Sequence, residues 1–312
     1  MSILICGSFA YDNIMGFGER FKDHILPDQL DILNVCFLTP TLRREYGGVA
    51  GNIAYNLKMI GADPIPMGTV GEDFAPYAAW IDKLGISRKS VVGVPGTMTA
   101  QAFITTDVDG NQITLFHPGA MDASAQNSVN DAPKSRLAIV SPDGREGMIL
   151  HAQQLVSADI PFVFDPGQGL PMFSGPELVK FIKQAQWIIV NAYEAELMQE
   201  KTGMGVADIA GQVDALIVTR GGEGSDIYAD GKHVKIPVAP VSAALDPTGC
   251  GDAYRTGILF GIEQGLSWEV SGRVAALLGA IKIESHGTQN HKLTRSDFEA
   301  RYLISFGLPL VW

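Results

Sequence analysis

What is scarce in this chain narrows its reading before any motif is considered. Its 312 residues include three cysteines, Cys6, Cys36 and Cys250, with no paired spacing, which argues against a disulfide scaffold and for a reducing compartment. The six histidines form neither HExxH nor a Cys/His ligand pattern, so no transition-metal site is expected. No apolar run reaches the roughly 18 to 20 residues that a membrane span requires. The opening MSILICGS lacks the basic stretch and long apolar core of a secretory signal, and a cytoplasmic location is expected. Basic residues are in deficit, 23 against 34 acidic, for a net charge of -11, which leaves no footprint for nucleic acid or an anionic membrane. The expected partner is a small molecule. An anionic ligand is still allowed, because oriented backbone N–H groups and a divalent ion act locally while the global field is screened within roughly 10 Å.

What is present is apolar material in a regular rhythm. At 46% hydrophobic residues, the chain can bury a large core as one domain over 1–312 with an appendage. Short runs such as ILIC, PIPMGTV, RLAIVS, WIIVN and ALIVTRGG alternate with helical stretches near 49–60, 74–84, 145–157, 176–185 and from about 193. Strands apolar along their whole length, each followed by a helix, predict a doubly wound α/β domain with a mostly parallel sheet flanked by helices. Residues 30–46 read as strand material with no crossover helix, and TAQAFITTDVDGNQITLFHPG reads as a hairpin turning at Asp109-Gly110; together they predict a small β-sheet lid, about 13–46 and 97–118. A two-residue turn would set Phe103 across from Phe116 on one face, where the pair could stack a planar ligand, although core packing is the more ordinary use of facing aromatics.

The richest stretch is DPTGCGDAYRTG at 246–257, running into the apolar ILFGI. A capped helix start accounts for it in part. Glycines at 249 and 251 also strip away side chains, so that consecutive N–H groups and the helix dipole can cradle a phosphoryl oxyanion. Asp252 would stand beside that cradle, able to take the proton of an attacking hydroxyl. No GxxxxGK[ST], no HRD or DFG set and no GxGxxG occurs, which sets aside P-loop enzymes, protein kinases and a nicotinamide fold.

DPTGCGD resembles the DTxGAGD signature of the ribokinase-like (PfkB) family of small-molecule kinases, and GGVAGNIAYNLKMIG at 47–61 resembles its N-terminal GGxxxN motif. NAYE at 191–194 and TRGGEG at 219–224 resemble its NxxE and TxGxxG motifs, in the family's order. RFKDHILPDQLDILNVCFL, the hairpin segment, the proline of DPTG and ESHGTQ at 284–289 are similar to bacterial adenosine kinases within that family. The resemblance implies a kinase that moves the γ-phosphate of ATP to the ribose 5'-hydroxyl of adenosine, with another nucleoside or a free sugar as the alternative acceptor. It implies Asp252 as base, with Gly249, Cys250 and Gly251 as the anion hole. Ser8, Asp12, Gly48, Asn52 and Gln168 would hold the nucleoside, and Phe103 and Phe116 would sandwich its base. Asn191, Thr219, Gly221 and Gly224 would serve ATP, and Glu194 would organise Mg²⁺ through water. Asp246 and Thr248, with backbone from 284–289, would correspond to a K⁺ site.

Each residue has a plainer reading. Asp12 could cap a turn, Asn52 could pack its helix and Glu194 could answer a helix dipole; their joint placement at strand ends favours a site. Arg43 and Arg44 read as a solvated basic pair. Cys250 stands where the family has alanine, and a thiol at a helix N-terminus is expected to have a lowered pKa and to be oxidisable. Gly169 stands where the adenosine kinases carry a second polar side chain. An exposed lid edge also makes a homodimer through the lid an expectation.

Overall fold

The computed structural model describes residues 2–25, 31 and 34–311. Part of the 20–38 segment likened to adenosine kinases, residues 26–30, 32 and 33, lies outside the described residues.

The strands in chain order are β1 (Ser2–Cys6), β2 (Ala10–Gly16), β3 (Thr41–Gly47), β4 (Asp63–Val70), β5 (Ser90–Gly93), β6 (Ala100–Thr106), β7 (Gln112–His117), β8 (Leu137–Val140), β9 (Phe162–Phe164), β10 (Trp187–Asn191), β11 (Ala215–Thr219), β12 (Ser225–Ala229) and β13 (Lys232–Ile236). The helices are α1 (Val49–Met59), α2 (Ala75–Lys83), α3 (Arg145–Ser157), α4 (Gly175–Gln184), α5 (Ala192–Thr202), α6 (Val206–Ala210), α7 (Cys250–Glu263), α8 (Trp268–Ile283) and α9 (Arg295–Phe306). Among the described residues, nine strands form the main sheet in the order β13-β12-β11-β10-β9-β8-β1-β4-β5. Its pairs are parallel apart from those joining β11, β12 and β13. The expected doubly wound sheet is therefore present, with an antiparallel edge.

Period-two alternation sorts each strand between two cores. Ile3 and Ile5 of β1 join Ile189 and Ile217 on the face covered by α1, α2, α7 and α8. Leu4 and Cys6 join Val190 and Val218 on the face covered by α3, α4 and α5. Both faces are apolar because both are covered. Among the described residues no helix is long and apolar enough to cross a membrane.

The lid is a four-stranded sheet, β3-β2-β6-β7, and two of its details depart from expectation. Strand begins only at Thr41, and residues 34–40 are irregular. The hairpin does not turn on a two-residue Asp109-Gly110 loop: Asp107 N–H donates to the Asn111 carbonyl, leaving three residues between them, with Gly110 at φ +84. That slips the register by one, so Phe103 pairs with Leu115 and Phe116 pairs with Ala102. A one-residue slip sends every side chain to the other face, and the two phenylalanines point to opposite sides of the lid.

β13 ends at Ile236, well before the glycine-rich helix entrance. What fixes residues 245 and 246 is α8 and its end: Leu245 and Asp246 N–H groups both donate to the Ile283 carbonyl, at 2.8 and 3.1 Å.

Candidate active site

Parallel strands deliver their C-terminal ends to one edge of the sheet, so the loops after β1, β9, β10 and β11 collect there beneath the lid. Ser8 follows β1, and its carbonyl accepts the Ala50 N–H at 2.9 Å, tying β1 to the first turn of α1. Gly48 caps α1 at φ +82, and a Cβ there would lie 2.5 Å from Ala10 N and 2.6 Å from Phe9 Cα. Only glycine allows α1 to enter against the β1–β2 link.

That entry places Asn52 of α1 beside Asp252 of α7, with Nδ2 donating to Oδ2 at 2.8 Å. Asn52 Oδ1 accepts Gln289 Nε2 at 3.0 Å, and Gln289 Oε1 accepts Trp80 Nε1 at 2.9 Å. The indole has only a donor, so it fixes the glutamine amide, which fixes the asparagine so that its NH₂ faces the carboxylate. Asp252 stands in the first turn of α7. Burial raises its pKa to about 6, against the lowering pull of Arg255 and Asn52. Asp12, on the lid strand β2, is likewise raised to about 6 by burial and by the charges of Asp252, Asp246 and Glu45. Asp12 shares its face of the lid with Glu45, Ala102 and Phe116, its register partners and theirs. Phe116 thus lies on the site face, and Phe103 on the outer face with Asn13 and Leu115. The expected sandwich of both rings is not formed within one chain.

Gly249 caps α7 in the left-handed region, at φ +80, packed on Thr288. The N–H groups at the start of a helix lack i−4 partners, which leaves amides at Gly251 and Asp252 for an oxyanion. The Cys250 N–H does not join them as expected: it closes a turn on the Pro247 carbonyl at 3.1 Å. Nor is the Cys250 thiol activated, since burial pushes its pKa up to about 11. At that value the helix dipole loses to desolvation, and the expected oxidisable thiolate is not formed.

Behind Asp252, Arg255 of α7 makes a two-pronged ion pair with Asp165, the residue after β9, with its second nitrogen 2.6 Å from Oδ1. Asp165 is fully buried. Arg255 lies inside the DPTGCGDAYRTG stretch, but nothing in the sequence pairs it with Asp165, 90 positions away. Glu194 and Asn191 form a reciprocal cap at the start of α5, each bond 2.8 Å, so the dipole reading of Glu194 is realised. The carboxylate is also buried, and burial together with the Asp165 charge raises its pKa. Among the described residues no group of three or more His, Cys, Asp or Glu is arranged to hold a metal. Glu194 does suit Mg²⁺, which keeps most of its waters and takes one or two protein carboxylates plus phosphate oxygens, whereas both oxygens of Asp165 are taken by Arg255.

Thr219 ends β11, and the turn after it is held by the Arg220 N–H on the Gly224 carbonyl at 2.8 Å. Gly221 and Gly224 both have positive φ, +54 and +90. Gln168 is exposed on the 3-10 turn Gly167–Met172 that follows β9. Asp246 lies at the far side of the anion loop: its Oδ1 accepts Thr248 N–H and its Oδ2 accepts Gly287 N–H, both at 2.9 Å. Its pKa stays below the ordinary value although burial alone would raise it, because these two N–H groups outweigh desolvation. The 284–289 stretch thus meets Asp246 as expected. The solvated pair does not materialise. Arg43 reaches Asp246 Oδ2 at 3.4 Å, and Arg44 donates to Asn13 Oδ1 at 2.9 Å and stacks over Tyr11. Alternation along β3 was the available signal for this split, since residues 43 and 44 of a strand face opposite sides.

A carboxylate with a raised pKa, beside free helix N-terminal amides and opposite a second carboxylate, is equipped to bind hydroxyls and remove one proton while an anion is held alongside. The comparisons with known proteins agree with that equipment. The chain is 50% identical to a nucleoside kinase of Burkholderia thailandensis whose structure holds inosine, with a TM-score of 0.91 over 98% of this chain and 99% of that one. A second structure of that protein, with ADP and inosine, gives a TM-score of 0.88 over 98% and 97%. A nucleoside kinase of Methanocaldococcus jannaschii is 31% identical over 260 residues, 83% of this chain and 85% of the relative. The model of the pfkB family of carbohydrate kinases matches residues 18–295, and the chain belongs to that family of phosphotransferases with alcohol acceptors.

Proposed function

We propose that the chain is an ATP-dependent nucleoside kinase acting on purine ribonucleosides, adenosine and inosine, and phosphorylating the ribose 5'-hydroxyl. The observation that carries this reading is the Asn52–Asp252 pair at the anion-binding start of α7, with Asp12 facing it from the lid. In this reading Asp12 and Asn52 receive the ribose hydroxyls, and Asp252 takes the proton of the attacking hydroxyl. The amides at the start of α7 hold the γ-phosphoryl group, and the turn at Thr219–Gly224 carries ATP. Mg²⁺, held through water by Glu194, would neutralise charge on the phosphates. The inosine complexes of the Burkholderia protein favour purine nucleosides broadly over adenosine alone. One aromatic ring facing the site, with Ala102 opposite it, fits a base site of modest selectivity. The test is ADP release from Mg-ATP with adenosine, inosine, guanosine, cytidine, ribose, fructose or no acceptor. Preference for a free sugar would defeat the nucleoside assignment.

The two phenylalanines give a sharper check. Phe116→Ala is expected to raise the nucleoside KM about tenfold, the scale of one lost aromatic stack of ~1 to 1.5 kcal/mol. Phe103→Ala should leave that KM unchanged, and it should weaken a dimer seen by sedimentation, since Phe103, Leu115 and Leu42 are exposed on the outer lid face through which we infer that two copies pair. A KM effect at Phe103 equal to that at Phe116 would refute the register argument.

The pH profile follows from Asp252. Its folded pKa of about 6 means that the base is ionised at neutral pH and is lost as pH falls. Acceptor kcat/KM should drop by about tenfold per pH unit below pH 6, and more steeply where Asp12 also protonates. A flat profile down to pH 4.5 would exclude both carboxylates.

A further inference from the structure

Lys282 is fully buried in α8, among Leu278, Ala280 and Ile281. Burying an ammonium costs several kcal/mol unless partners offset it. Its Nζ donates to the Asp246 carbonyl at 2.8 Å and to the Ser285 carbonyl at 3.0 Å. The backbone of residue 283 takes the N–H groups of 245 and 246, so consecutive residues of α8 grip the entrance of the anion loop from both its donor and acceptor sides. Asp246 then sets Thr248 by a hydrogen bond, and Gly249 follows directly as the cap of α7. Burial lowers the Lys282 pKa, and the nearby Asp246 and Glu45 charges counter it.

This arrangement does not fit the K⁺ ion expected at Asp246 and Thr248 with backbone from 284–289. The carbonyl oxygens of 246 and 285 that such an ion would need already accept from an ammonium, and a second cation at hydrogen-bonding distance from both would meet it in like-charge contact. Resting on the kinase reading above, we infer that Lys282 acts as a built-in monovalent cation, positioning the anion-binding loop of residues 246–251, and that turnover needs no added K⁺. Lys282 is a positioning residue, since it reaches the loop backbone and not the reacting atoms.

The experiment varies the cation at constant ionic strength. Wild-type nucleoside-dependent ADP release and Tm are both expected to be the same in potassium, sodium and choline chloride. A tenfold requirement for K⁺, or a Tm that rises with K⁺ alone, would overturn the inference. Lys282→Met should lower kcat by about tenfold or more with little change in nucleoside KM, tenfold corresponding to ~1.4 kcal/mol of transition-state stabilisation. Lys282→Ala opens room for a small ion, so ammonium or K⁺ should restore kcat and raise Tm where choline does not. A folded Lys282→Ala protein that ammonium fails to restore would also overturn it. If neither variant folds, the wild-type Tm and rate comparison decides. If wild type is silent with every acceptor, the kinase reading fails, and the Tm comparison alone judges Lys282.

Discussion

Asp252→Asn is expected to fold, to bind nucleoside and nucleotide, and to turn over about a thousandfold or more slowly, within the range by which a positioned general base accelerates proton transfer. The substitution keeps shape and keeps an oxygen to accept from Asn52 Nδ2, now 2.8 Å from the carboxylate. It removes the capacity to take a proton. Stability should not suffer. A carboxylate whose folded pKa is raised from 3.8 to about 6 contributes stability only in its protonated form, fully below the unfolded pKa and lost as pH rises through 6. At pH 7 the ionised side chain therefore weighs against folding, and the asparagine should show an equal or higher Tm. Single-turnover rates and calorimetry on one preparation check both halves. Activity within tenfold of wild type would mean that another group is the base.

Arg255→Met is expected to produce the largest loss of stability, about 3 to 5 kcal/mol, because it leaves the Asp165 carboxylate charged, buried and without its partner. Asp165 has 1% of its side chain exposed and Arg255 has 11%, so water cannot substitute. For a chain of this size the fall in Tm should be on the order of 10 °C. Double replacement, Asp165→Leu with Arg255→Met, should recover most of it, since the cost lies in the orphaned charge and not in the absent pair. Function carries a second signature. Arg255 is the largest influence lowering the Asp252 pKa, so in any Arg255→Met protein that folds, the acid limb of the pH profile should move to higher pH. Loss of stability without that movement would reduce Arg255 to a structural role. A double variant as unstable as the single one would contradict the charge argument.

The parts of this site legible in the sequence are those written by adjacent residues. DPTGCGD, GGVAGN, NAYE and TRGG each encode a turn, a cap and a polar group within a few positions, and parallel strands bring them to one edge. The parts not legible depend on segments far apart in the chain. Gln289 orients Asn52 from 237 positions away, and nothing near either residue announces it. Lys282 reads, within AALLGAIKIES, as a lysine whose stem crosses an apolar face to reach water; only the fold shows that its head stays inside. The hairpin failed for a smaller reason. Asp107 binds its own loop through Asn111 and Asp109 N–H groups at 2.8 and 3.0 Å, which makes the loop one residue longer than DG alone suggests. That one residue reassigns Phe103 from ligand contact to outer surface.

The joint between lid and body is made of four short links: residues 7–9 between β1 and β2, Gly48 between β3 and α1, residues 94–99 between β5 and β6, and Pro118 after β7. Asp12 rides on the lid side of this joint, Asn52 and Asp252 on the body side. With both carboxylates ionised at neutral pH, an empty cleft opposes its own closure, and the hydroxyl donors of an acceptor remove the opposition. If Asp12 and Asp252 receive the acceptor as proposed, the same pair would also guard the donor, and ATP bound alone would meet an open cleft until a sugar hydroxyl arrives.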